Sequence, residues 1–219
     1  MRPWVAVAAL LPATLGSQSP LDSAARLIDR REYAAAKPLL AEASAVAPSD
    51  ARVAYWMGRI AYGEQDFDHA VEQIERAVAL DPTSSAYHMW LGRAYGRRAQ
   101  RANTLRQMGL ARKAKGAMER AVALDPENLA ARRDLMEYYL AAPRIAGGSK
   151  DKAKGEMAEI RRRSAYAGHL AAGRVAEAEG DTTAGVREYE AAIALAPDSG
   201  SAYYRLGNIL TARSRWADA

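Results

Sequence analysis

The chain has 219 residues, with 31 Lys and Arg against 26 Asp and Glu, a formal net charge of +5 and no cysteine. The lack of cysteine excludes disulfides, thiolate metal sites, thiol nucleophiles and a lipid-modified N-terminal cysteine. The positive balance favours anionic partners but says nothing about fold.

The chain opens Met1-Arg2-Pro3, continues through the apolar stretch Trp4–Leu11, and then meets the helix breaker Pro12 and the small residues around Gly16-Ser17. A short positive start, an apolar run and small residues form a secretory-signal pattern, too short to span a bilayer. Residues 1–16 are therefore read as a signal peptide cleaved near Gly16. The expected mature protein is exported, soluble, without a lipid anchor, and periplasmic in a Gram-negative cell. No later stretch is apolar enough to cross a membrane.

Past this segment the chain repeats. The heptapeptide Arg-Ala-Val-Ala-Leu-Asp-Pro occurs at 76–82 and again at 120–126, and looser copies end at Pro48 and Pro197. Pro48 and Pro82 are 34 residues apart, and a period of that size means stacked supersecondary units rather than one globular core. Each Pro ends a helix, because it cannot continue one and disfavours the α region just before it. Counting back from the prolines, Ala36/Leu40/Ala43, Ala70/Ile74/Ala77, Ala114/Met118/Ala121 and Gly185/Tyr189/Ala192 have the i, i+4, i+7 spacing of one helical face. An upstream helix in each unit carries a residue-Gly pair: Met57-Gly58, Leu91-Gly92, Ala172-Gly173 and Leu206-Gly207. Gly inside a helix costs about 1 kcal/mol, so its recurrence predicts close helix approach.

Leu91-Gly92-Arg93-Ala94-Tyr95 resembles the first helix of the tetratricopeptide repeat, and Ala70-x3-Ile74 with Pro82 resembles its second. The resemblance runs over 17–219 and implies an all-α, right-handed superhelical solenoid of antiparallel helix pairs, about eleven helices in all. The units fall at about 17–50, 51–84, 85–128, 129–165 and 166–199, with a partial one at 200–219. Unit three has 44 residues between Pro82 and Pro126, and the extra residues lie around 97–112. Good helix formers there predict a hairpin with both helices lengthened, Gly109 being the first strong breaker. Unit four lacks its closing Pro and gains a loop, Pro143 to Lys150.

The resemblance also implies that the first helix of each unit lines a concave groove. On that register Tyr55 pairs with Arg59, Met89 with Arg93, Arg133 with Glu137, Leu170 with Arg174, and Tyr204 with Asn208, while Arg52, Tyr62 and Arg97 border the same surface. Arg59, Arg93 and Arg174 then form a basic ladder of exposed guanidinium forks, suited to an acidic peptide or a terminal carboxylate. As exposed residues they are expected to tolerate charge reversal with little loss of stability. The leading expectation is a non-catalytic interaction scaffold for a protein or peptide in an envelope assembly.

The alternative is a polyanion or membrane-surface binder acting through the basic 93–115 hairpin. Arg93, Arg97, Arg98, Arg101, Arg106, Arg112, Lys113 and Lys115 occur there with no acid before Glu119. Nucleic acid ranks low, because the run holds only Tyr95 for stacking. Gly147-Gly148-Ser149-Lys150 lacks both the spacing and the strand of a phosphate loop, so no nucleotide is expected. His69, His88 and His169 are isolated from one another, and there is no G-x-S-x-G elbow. No catalytic residue, metal site or cofactor is assigned. At the C-terminal end Tyr203, Leu206 and Leu210 are expected to pack on unit five, and Trp216 to anchor self-association or another subunit.

Overall fold

A computed structural model describes residues 19–217, with side chains through residue 212. The expected signal peptide at 1–16 and the Trp216 side chain lie outside the described residues and side chains. Within them the chain is all α-helical, with eleven α-helices and one short 3-10 turn. The helices pair as α1 (Pro20–Asp29) with α2 (Tyr33–Val46), α3 (Ala51–Gly63) with α4 (Phe67–Leu80), α5 (Ser85–Arg101) with α6 (Thr104–Leu124), α7 (Leu129–Ala141) with α8 (Lys150–Arg163), and α9 (Ala165–Glu179) with α10 (Thr182–Leu195). Helix α11 (Gly200–Ala217) follows α10.

The turns are written in the sequence. Asp50, Asp66, Ser84, Asn103, Asn128, Ser149, Ser164 and Asp181 each accept a backbone N–H of the first turn that follows. Such caps satisfy donors that the helix leaves unpaired. The Gly147-Gly148-Ser149 stretch is one of these turns: Gly147 is left-handed at φ 94°, and Ser149 caps α8.

Two layers result. Consecutive helices touch, and α1, α3, α5, α7 and α9 also touch one another in series, whereas no two second helices pack to the same extent. The layer whose members meet is the shorter arc, so the first helices form the concave side.

In three of the pairs the helices close on glycine. A Cβ at Gly58 would lie 2.4 Å from Ile74 Cγ1, one at Gly92 2.6 Å from Met118 Cγ, and one at Gly173 2.3 Å from Tyr189 Cε1. Ile74 and Tyr189 are wholly buried. In unit four Met136 stands where the glycine would be; it is also wholly buried and packs in one cluster with Ala153, Ile160 and Val175.

Both helices of unit three are lengthened, to 17 and 21 residues against the 13 and 14 of the preceding pair. The turn falls at Ala102-Asn103, and Gly109 lies inside α6. Asn103 decides this by accepting the Arg106 N–H; a cap outcompetes a single tolerated glycine.

The face of α11 also differs from expectation. Ala202 and Ile209 are the buried residues, with Ile209 Cδ1 2.5 Å from where a Gly185 Cβ would be. Tyr203 and Leu210 are exposed, and nothing lies within 4 Å of a Gly207 Cβ. Tyr203, Gly207 and Leu210 have the register of Ala54, Gly58 and Ala61, the stripe that unit two buries. No described helix covers that stripe on α11.

The packing glycines separate by experiment from the spare ones. Gly173→Ala should lower unfolding free energy by about 1–3 kcal/mol through overpacking against the rigid Tyr189 ring. Gly116→Ala, where a Cβ meets nothing within 4 Å, should raise it by about 0.5–1 kcal/mol. Urea denaturation of both variants checks the pair of signs.

Candidate functional site

The concave layer carries the candidate site. Its ladder arginines, Arg59, Arg93 and Arg174, lie in the expected register, but each is engaged. Arg59 on α3 reaches Asp29 of α1 at 3.1 Å and donates to Tyr55 Oη at 3.0 Å. Its guanidinium carbon sits 3.9 Å from the Trp90 ring centroid of α5. Arg93 covers the same indole at 4.5 Å and is ion-paired with Asp134 on α7. Arg174 on α9 makes a fork to both carboxylate oxygens of Glu137 on α7, each at 2.9 Å, and also pairs with Glu177. Arg205 on α11 reaches the same Glu137 at 3.5 Å. The inner face is thus a relay of cation, indole and carboxylate crossing from α1 to α11. Hydrogen bonding to Glu137, partly opposed by burial, raises the pKa of Arg174 above its already high ordinary value.

This corrects the reading of the ladder as a free basic surface. Arg59 has only 16% of its side chain exposed, and Arg59, Arg93 and Arg174 spend their charge on neighbouring helices. Tyr55 and Met89 do not line an open surface: both are buried, Tyr55 in a cluster with Ala77 and Tyr87, Met89 with Ala121 and Ala131. Arg52 is exposed, but it is held by Asp50 at the N-cap of α3, at 2.6 Å. That bond to Arg52 lowers the Asp50 pKa.

The remaining candidates gather in two clefts. The first, of about 830 Å³, lies between α7, α9 and α11 and is lined by Arg133, Leu170, Arg174, Tyr204, Arg205 and Asn208. Arg133 has 58% of its side chain exposed and comes no closer to a carboxylate than 3.7 Å, from Asp134. The second, of about 460 Å³, lies between the α5–α6 hairpin and the end of α7, and it brings Tyr62, Arg93 and Arg97 together. Burial pushes the Tyr62 hydroxyl pKa up. Trp90, Asp134 and Asp29 were missed by the sequence reading. Trp90 precedes Arg93 by one helical turn, and the two carboxylates lie about one period from their arginines, so a search for charge pairs at the repeat spacing would have found them.

The hairpin is also less basic than its sequence. Arg98 pairs with Asp68, Lys115 with Glu119, and Arg101 donates to the Gln65 carbonyl at 2.8 Å. Arg97, Arg101, Arg106, Arg112 and Lys113 keep no carboxylate partner among the described residues.

Tetratricopeptide repeat family models match residues 27–94 and 170–219. TTC0263, a thermophilic TPR protein of Thermus thermophilus, superposes with a TM-score of 0.74 at 21% identity, over 88% of this chain and 97% of that one. YrrB, a TPR protein with an unusual peptide-binding site, gives 0.55 at 19% identity over 84% and 89%. Human IFIT1, as a dimer with PPP-AAAA, gives 0.73 at 21% identity over 91% of this chain and 47% of that one, so this chain spans about half of IFIT1. At these identities the likeness shows the fold alone. No curated protein sequence matches the chain.

The engaged Arg174 is distinguishable from the more exposed Arg133. Arg174→Glu would set a third carboxylate against Glu137 and Glu177 and should lower stability by about 2 kcal/mol, between the values for exposed and buried pairs. Arg133→Glu should stay within about 0.5 kcal/mol. Equal effects in urea melts would contradict the relay.

Proposed function

The chain belongs to the tetratricopeptide repeat family, and from that premise we propose an exported, non-catalytic interaction scaffold whose concave face holds an acidic peptide segment or partner protein in an envelope assembly. The observation that carries this reading is the 830 Å³ cleft between α7, α9 and α11. Six of the residues that the repeat register assigns to the groove, Arg133, Glu137, Leu170, Arg174, Tyr204 and Asn208, line it together. Arg133 is the cation a carboxylate reaches most readily, and Arg205 lies beside it with a long 3.5 Å contact to spare. Arginine forks suit carboxylates, and Tyr204 and Asn208 add hydrogen-bonding capacity for a peptide backbone.

A random peptide library screened on the immobilised protein should enrich Asp and Glu. Arg133→Glu combined with Arg205→Glu should weaken a selected peptide about tenfold or more, the equivalent of about 1.4 kcal/mol. Enrichment of basic or uncharged peptides would reject the reading. Export rests on the Met1–Ser17 pattern. N-terminal sequencing of the periplasmic fraction from a Gram-negative host should give a mature protein starting at Ser17; an intact Met1 retained in the cytoplasm would overturn it. Self-association through α11 has the exposed Tyr203, Gly207 and Leu210 stripe in its favour, and sedimentation tests it.

A second reading has an observation of its own. Leu105, 91% exposed, stands at the tip of the hairpin with the exposed cations Arg101 and Arg106 beside it. An apolar tip among cations suits an anionic membrane surface or another polyanion. IFIT1 was solved with PPP-AAAA, so RNA belongs in the comparison. Binding to phosphatidylserine vesicles or a homopolymer RNA that falls steeply with salt, and is lost in Arg106→Glu with Arg112→Glu, would favour this reading over the first.

A further inference from the structure

We infer that the cleft between the α5–α6 hairpin and the α7–α8 connection is an anchor pocket for one large apolar side chain bearing a nearby carboxylate. This deepens the concave-face reading by stating what the bound peptide contains: a residue of Leu, Met or Phe size next to Asp or Glu, or at a free C-terminus.

The pocket exists because of the two departures from the repeat. The insertion in unit three lengthens α5 and α6, so that Met108 and Ala111 form a wall beyond the normal end of a pair. The added loop of unit four folds back, with Tyr138 Oη donating to the Ala146 carbonyl at 2.7 Å, and sets Pro143 and Ala146 as the opposite wall. Between them lies a cavity of about 460 Å³, within the range of pockets that bury most of a small ligand. Its surfaces are mainly alanine, methionine and the rings of Tyr62 and Tyr138, and apolar surface open to water favours an apolar occupant.

The charges at the rim decide the rest. Four charged residues line the pocket: Arg93, Arg97, Asp134 and Glu137. Arg93 is matched by Asp134, and Glu137 is matched by Arg174 and Arg205. Arg97 is left with no carboxylate among the described residues. It donates only to Gln100 Oε1 at 3.0 Å, and its guanidinium carbon lies 5.3 Å from the Phe67 ring centroid. One unmatched cation above an apolar cavity is complementary to an apolar body with a single negative charge. A simple acid gains little at an exposed arginine, and a neutral apolar group leaves that charge unused, so the two features together set the preference.

The probe is 3-phenylpropionate, compared with 3-phenylpropan-1-ol and with propionate, titrated into the full chain by NMR of its methionine methyl groups. 3-Phenylpropionate should bind with an affinity on the order of millimolar, as ligand-efficiency limits allow for so small a molecule, and shift Met108. The alcohol and propionate should each bind at least about fivefold more weakly, a difference of about 1 kcal/mol. Arg97→Gln should erase the difference between acid and alcohol. Gly96→Leu should abolish binding of all three by filling the pocket; Gly96 lines it and a Cβ there meets nothing within 4 Å, so helicity should hold or rise. Tyr204→Ala with Asn208→Ala, which line only the α7–α9–α11 cleft, should leave the probe's affinity unchanged, which separates this pocket from that cleft. No shift of Met108, equal binding of acid and alcohol, or binding that survives Gly96→Leu would each overturn the inference.

Discussion

The structure depends on a glycine facing a large side chain inside three of its five helix pairs. A solenoid of this size has no central core; each unit must bury its apolar surface against its own second helix and the next unit. That requires helix axes closer than two ordinary side chains allow. Gly58 under Ile74, Gly92 under Met118 and Gly173 under Tyr189 provide the approach, with alanines at Ala70, Ala77, Ala114, Ala121 and Ala192 keeping the second helix narrow. Unit four packs differently, with Met136 buried in one cluster with Ala153 and Ile160. The abundance of alanine in the chain follows from this one constraint.

Once pairs are formed, the concave layer needs a means of holding neighbouring units in register. The inner relay does this with charge rather than apolar volume. Asp29, Arg59, Trp90, Arg93 and Asp134 connect α1 to α7, and Glu137 joins α7 to both α9 and α11 through Arg174 and Arg205. Arginine suits the task because its planar fork can bond a carboxylate while its face stacks on an indole. Half-buried pairs of this kind penalise misaligned stacking, since slippage strands a charge away from water. The groove is consequently patterned with matched charges, and few cations stay outside that pattern, Arg97 and the more exposed Arg133 among them.

Those leftovers sit where the repeat is irregular or open. The hairpin of unit three and the loop of unit four enclose one cleft, and the spacing of α7, α9 and α11 encloses the other. A strictly periodic array would present the same groove at every unit. Insertions break that sameness at low cost, because they extend existing helices and connections without disturbing the glycine contacts beneath.

The sequence by itself determined the class of fold, the pairing of helices, their caps and the positions of close approach. Proline stops, Asp, Ser and Asn caps, and the glycine–large pairs all act within one repeat, over the spacing of a turn or a helix pair, where local sterics leave little choice. It also located Arg133, Arg174, Tyr204 and Asn208, which share a cleft. What it left to the tertiary structure was which arginines are free. Arg93 finds its carboxylate 41 residues away and Arg174 finds its own 37 residues away, across the boundary between units. The same holds for the turn at Ala102-Asn103, where a capping side chain overrode a glycine, and for α11, where contact with Gly185 buried Ile209 in place of Leu210. Periodicity fixes which residues share a helical face, but the partner that a charged or apolar side chain meets on that face is set by how the units stack.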